Sequence, residues 1–279
     1  MRDNYDVLKT EGRNPRTMQI DRMPTLDMVT VMNRENRAVE DAIDEVLPAI
    51  ADAVDLIAAA FEAGGHLIYV GAGTSGRLGI IDAAECPPTF GVDYDLVRGI
   101  IAGGDSAVFR ATENAEDNEE WGARTIREND IKPGDVVCGL SAAGRAPFVL
   151  GAMKEARALG AHTVGVTCNK DTLLHGVCDI TIDPYVGPEV ISGSTRLKAG
   201  TAQKLVLNML STGAMIRTGK VYGNLMINVK PTNEKLVERA TRILMEISGC
   251  EREIAERLIE KHGDIRAALA DLGIDVSRT

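Results

Sequence analysis

HLIYVGAGTSGRLGIIDAAECPPTFG, residues 66–91, decides how this chain is read. A short apolar run, His66 to Val70, turns through three glycines at GxGxxG spacing, Gly71, Gly73 and Gly76, and enters a helical pattern. A strand feeding such a turn makes an anion site, because free amide N–H groups and the positive end of the helix dipole face the ligand. A dinucleotide fingerprint continues with a full helix and a second strand ending in an acid about 20 residues on. Here Glu85-Cys86-Pro87-Pro88 intervenes, and proline neither continues a helix nor leaves the preceding residue helical. The expected helix therefore covers only about Leu78 to Ala84 and delivers Glu85 at its end, where a carboxylate opposes the dipole. Thr74 and Ser75 add hydroxyls to the turn, and with Gly73 they can surround one compact phosphate. The stretch reads as a phosphomonoester site, with a nicotinamide or flavin site as the weaker option.

Working outward, the pattern is α/β. Apolar runs at 97–102, 135–140, 162–167 and 180–182 predict strands, with helices over about 106–113, 118–129 and 146–159 between them. That alternation predicts a doubly wound parallel sheet whose ligands gather at the carboxyl ends of the strands. Residues 25–63 carry a helical repeat with Pro48 at a break or first turn, and residues 1–22 are expected to wrap over a surface. The run 198–218 is nearly uncharged and must be buried, centrally or between subunits. Beyond Pro231 the chain reads as helical, over 233–248, 251–261 and 264–271. We therefore expect an α/β domain with a doubly wound sheet over 1–228, including N-terminal helices, and a small helical subdomain over 229–279.

Composition narrows the function. The net charge of -10 argues against nucleic acid or an anionic membrane as partner. Five widely spaced cysteines without a CxxC pair fit reduced thiols in a cytoplasmic protein. No apolar run is long enough for a membrane span, and the four scattered histidines suggest no metal site.

Three further segments carry chemistry. ENAEDNEE, residues 113–120, is an acidic run, mostly a solvated face, that can supply a second carboxylate beside Glu85. Two carboxylates can divide acid and base roles when their surroundings push the pKa values apart. LSAAGRAPFVLG, residues 140–151, is a strand-to-helix turn whose one hydroxyl is Ser141. In GPEVISGSTRLKAGTAQK, residues 187–204, Ser192, Ser194 and Thr195 can cap the following helix, and Lys198 brings positive charge to its first turn.

Together, in this order, TEGRNP (10–15), IYVGAGTSGRLGIIDAAECPPTFGV (68–92), IAGG (101–104), NAEDN (114–118) and the block 193–226 closely resemble the N-acetylmuramic acid 6-phosphate etherases of the sugar isomerase domain superfamily. The resemblance implies cleavage of the D-lactyl ether of that sugar phosphate by water, in a cytoplasmic homodimer without metal or organic cofactor. It implies Glu85 as proton donor and Glu116 as base, with Gly73, Thr74, Ser75, Ser141, Ser194, Thr195 and Lys198 binding the substrate and its phosphate. The family usually reads ASGRTPY where this chain has Ala142 to Phe148, so Ala143, Ala146 and Phe148 replace two hydroxyl residues and a tyrosine. An aldose–ketose isomerase of a sugar phosphate, or a phosphosugar-sensing regulator on the same scaffold, are the alternative readings.

Overall fold

A computed structural model describes residues 9–112, 114–231 and 233–276; residues 1–8 of the expected surface wrap and Glu113 of the acidic run lie outside them. The helical repeat near the start resolves into α1 (Thr25–Glu35), α2 (Arg37–Asp44) and α3 (Leu47–Glu62). Pro48 occupies the first turn of α3, where no amide hydrogen is required. The chain then alternates through β1 (Leu67–Gly71), α4 (Gly73–Phe90), β2 (Val97–Ile101), α5 (Ser106–Phe109), α6 (Glu119–Glu128), β3 (Val136–Leu140), α7 (Pro147–Ala158), β4 (His162–Val166) and β5 (Ile180–Ile182). The long α8 (Lys198–Arg217) follows, then a ribbon of β6 (Val221–Tyr222) and β7 (Leu225–Met226), and finally α9 (Glu234–Ser248), α10 (Arg252–His262) and α11 (Ile265–Asp271).

The main sheet has the order β2-β1-β3-β4-β5 with every pair parallel. Alternation along the strands splits the core into two layers. Leu67 and Tyr69 face α3, α4 and α8, whereas Ile68 and Val70 face α6 and α7. Gly71 at the end of β1 is level with Ile101 of β2 and Leu140 of β3, so the loops after these strands leave one edge together. The strand order reverses at β1, and a crevice opens there between the β1–α4 and β3–α7 connections. A third apolar cluster, from Ile227 to Val276, is built by α9, α10 and α11. No helix among the described residues is long and apolar enough to cross a membrane.

Three expectations are corrected. The helix expected over 106–113 closes after one turn at Phe109, and the β6–β7 ribbon was not foreseen. The larger correction concerns α4, which begins in the glycine turn and runs through Pro87 and Pro88 to Phe90. The prolines fall in its last turn, so the carbonyls that lose their helical amide partners are only those of Ala83 and Ala84, four residues earlier. Cys86 and Phe90 are buried in the core, and Gly91 in left-handed backbone closes the helix by donating to the Pro87 carbonyl at 2.8 Å. Asn228 Nδ2 donates to the Phe90 carbonyl at 2.5 Å. Glu85 is therefore one turn inside the helix and not at its end, and the dipole argument for its role does not apply.

Candidate active site

A cleft of about 370 Å³ lies at the switch point, lined by residues of both connections, by Glu116 and Asp117, and by Glu11, Gly193 and Thr195. Its first wall is the start of α4. No side chain caps this helix, so its first-turn amides are left for a ligand, with Thr74 and Ser75 at the cleft surface. The close approach needs Gly76, where a Cβ would stand 2.8 Å from the Gly71 carbonyl oxygen and 2.7 Å from Ile101. Ser75 Oγ donates to Gln203 Oε1 of α8 at 2.9 Å. Deeper in α4, buried Asp82 accepts from Tyr69 Oη at 2.9 Å and from Asn208 Nδ2 at 2.7 Å, which pins the helix between β1 and α8. Burial pushes the Asp82 carboxyl up from its ordinary pKa, against those hydrogen bonds.

The second wall is the turn after β3. The Ala142 carbonyl is drawn inward by Cys168 N at 2.9 Å, Asn169 Nδ2 at 3.0 Å and Thr167 Oγ1 at 3.2 Å. With that oxygen occupied, the amides of Ala142, Ala143 and Arg145 donate to no protein acceptor among the described residues. Gly144 makes the turn possible, with φ of 67° and Thr172 Oγ1 only 2.3 Å from where a Cβ would be. Ser141 is buried and accepts from Ala146 N at 3.4 Å. Two sets of uncommitted amides thus face one cleft, an arrangement that suits anionic oxygens.

Glu116 stands at the mouth. Its carbonyl accepts from Phe148 N at 2.9 Å, which ties the acidic loop to the first turn of α7. Burial against the loop, and then the neighbouring Asp117 carboxylate, push the Glu116 carboxyl up from its ordinary pKa. A carboxylate with a raised pKa is a stronger base where it is ionised.

Of the residues expected from sequence, the structure brings together Gly73, Thr74, Ser75, Glu116, Ser141 and Thr195 around the cleft. Ser194 and Lys198 are not among the lining residues. Lys198 is 1% exposed, with Nζ 3.4 Å from Glu35 Oε2, and Glu35 also takes hydrogen bonds from Arg16 and from Asn14 Nδ2. The expected hydroxyl cap of α8 is absent too. Buried Glu189 accepts from the Lys198 amide at 3.0 Å and from the Ala199 amide at 2.9 Å, and so occupies that helix end with the protein's own carboxylate. Glu85 is exposed on α4 and outside the cleft lining, roughly 18 Å along the helix from Gly73. Sequence reasoning missed Glu11 and Arg145 as lining residues. Glu11 arrives by tertiary contact, its carbonyl accepting from Ser192 Oγ at 2.8 Å, and no local pattern announces that.

Comparison with known proteins places this geometry. Residues 49–157 match the family described as the glucokinase regulatory protein N-terminal SIS domain, a sugar isomerase domain. Solved structures of phosphoheptose isomerases share the fold. One from Francisella tularensis superposes with a TM-score of 0.52 at 18% identity, over 70% of this chain and 100% of that one. Another from Neisseria gonorrhoeae gives 0.54 at 18% identity, over 68% of this chain and 98% of that one. At the level of sequence, a protein of Clostridium botulinum (strain Loch Maree) named N-acetylmuramic acid 6-phosphate etherase is 56% identical over 92% of this chain and 85% of its own. Proteins of the same name from Aeromonas hydrophila (54% identical, 97% of this chain, 92% of its own) and Mesorhizobium japonicum (52%, 97% and 89%) extend the match almost end to end. At that identity over nearly its whole length, the chain belongs to the N-acetylmuramic acid 6-phosphate etherase family.

Proposed function

We propose that this protein cleaves the D-lactyl ether of N-acetylmuramic acid 6-phosphate, giving N-acetylglucosamine 6-phosphate and D-lactate, as the names of its relatives indicate. The observation that carries the reading is the cleft itself, where Glu116 stands beside two sets of unused amides and the Thr74, Ser75 and Ser141 hydroxyls. The phosphate is assigned to the start of α4, where it supplies binding energy remote from the bond that breaks. Opening of the sugar ring places an aldehyde next to C2 and acidifies its proton. Glu116 takes that proton, the C3–O bond breaks, and the lactate oxygen leaves with a proton from an acid. Water then adds across the C2–C3 double bond, the hydroxyl at C3 and the proton at C2, so one water is consumed overall. Each positioned proton transfer is worth about 10²–10⁴-fold.

Glu85 is assigned the acid, and its place on α4 makes that a two-chain proposal. Ile81, one turn earlier on the same exposed stripe, is 59% exposed, an apolar side chain beside a functional one. The groove between α2 and α8, lined by Ile43, Leu205, Met209 and Ile216, is a second apolar patch. We propose a cytoplasmic homodimer in which Glu85 of one copy reaches the cleft of the other. The reaction is tested by incubating the protein with N-acetylmuramic acid 6-phosphate and measuring D-lactate. Release is expected from the wild type and is lost in Glu85→Gln, which still binds the sugar phosphate. A folded protein that binds the substrate but yields no lactate sinks the assignment.

A further inference from the structure

The cleft is lined by three carboxylates, Glu11, Glu116 and Asp117, and by one basic side chain among the described residues, Arg145. Its guanidinium is uncommitted. Nε is buried with no hydrogen-bond partner, and no ion pair or hydrogen bond engages the side chain among the described residues. Arg77, the other guanidinium close to this edge, is spent on backbone, donating to the Val108 and Ala107 carbonyls at 2.8 and 2.7 Å. Arginine stays charged at any working pH, so a buried guanidinium N–H without an acceptor is a standing cost unless a ligand supplies one.

The proposed substrate carries two anions, and the phosphate is already assigned to the start of α4. The second anion is the carboxylate of the lactyl group, attached to the carbon that bears the ether oxygen. Arg145 lies in the turn leading to Phe148, whose amide is bonded to the Glu116 carbonyl at 2.9 Å. Arg145 and Glu116 thus line one cleft from adjoining loops, and in the proposed reaction Glu116 works on C2 while the ether departs from the adjacent C3. We propose that Arg145 binds the lactyl carboxylate and is the residue that makes the site selective for a muramic acid ether; this rests on the etherase reading.

The test compares N-acetylmuramic acid 6-phosphate with its carboxamide analogue, following N-acetylglucosamine 6-phosphate formation with wild type, Arg145→Ala and Arg145→Gln. Wild type is expected to favour the carboxylate in kcat/KM by about 10- to 100-fold, the range of a charge-assisted hydrogen bond. Both variants lose that preference by falling on the carboxylate substrate alone. Their affinity for N-acetylglucosamine 6-phosphate, which keeps the phosphate and lacks the lactyl group, stays at the wild-type value and reports an intact fold. Equal losses on both substrates, or weakened binding of N-acetylglucosamine 6-phosphate, overturn the assignment and give Arg145 to the phosphate or to the turn. A wild type that releases no lactate overturns the etherase reading and this one with it, whereas normal release with undiminished selectivity in the variants overturns this one alone.

Discussion

Burial and the adjacent Asp117 carboxylate both hold the Glu116 proton more tightly than an isolated glutamate would. The ionised base accumulates as pH rises through the raised value, so the acid limb of kcat/KM is expected above pH 4.5, the ordinary glutamate value. Asp117→Asn removes the like charge and should move that limb to lower pH; an unmoved or raised limb rules out Glu116 as the titrating base. Glu35 is the opposite case. Hydrogen bonds from Arg16, supported by Asn14 and the Lys198 charge, outweigh burial and hold its carboxyl down to about 2. A depressed folded value gives stability that is complete above the ordinary value of 4.5 and is lost as pH falls through the folded one. Glu35→Gln abolishes that dependence and strands a buried lysine, so urea unfolding near neutral pH should show a loss of about 3–5 kcal/mol. Lys198 also marks a limit of reading by residue type. Its position in the first turn of a helix suggested an anion site, but its partner lies 163 residues away and no local pattern could name it.

At the scale of elements, α4 carries most of what the sequence made legible and also what it hid. The glycine spacing announced a strand, a turn and an uncapped helix start, because backbone sterics demand those glycines wherever they occur. Gly76→Ala should therefore cost about 1–3 kcal/mol by overpacking and also raise KM by shifting the first-turn amides; thermal melts and kinetics on the same variant check both. The proline pair misled, because the helix-breaking rule describes a backbone standing alone. In the folded chain Cys86 and Phe90 are buried, the left-handed Gly91 ends the helix, and Asn228 caps the last carbonyl from 138 residues away. The second wall was legible as a strand-to-helix turn. Its anion-facing character was not, since the inward pull on Ala142 comes from Thr167, Cys168 and Asn169 beyond the next strand.

Across the whole molecule, the parallel sheet and its switch point followed from the alternation of strands and helices, whereas the composition of the cleft depended on long-range returns of the chain. The distance of Glu85 from the cleft of its own chain gives a sharp test. If one copy supplies Glu116 and its partner Glu85, mixing inactive Glu85→Gln and Glu116→Gln proteins under subunit exchange should restore about a quarter of wild-type activity, since half the dimers are mixed and each holds one intact site. No recovery, with exchange demonstrated, overturns the shared site, because Glu85 and Glu116 are then both required within the same chain. The amino-terminal segment bears on a different matter, the order of events during synthesis. Thr10 bonds to Asn169, Thr17 to the Val190 carbonyl and Ser192 to the Glu11 carbonyl, so the first residues close the cleft only against residues made 159 to 181 positions later. A nascent chain can therefore stack its first strands and helices as they emerge, but it stays without a finished site until β5 and the loop beyond it have left the ribosome.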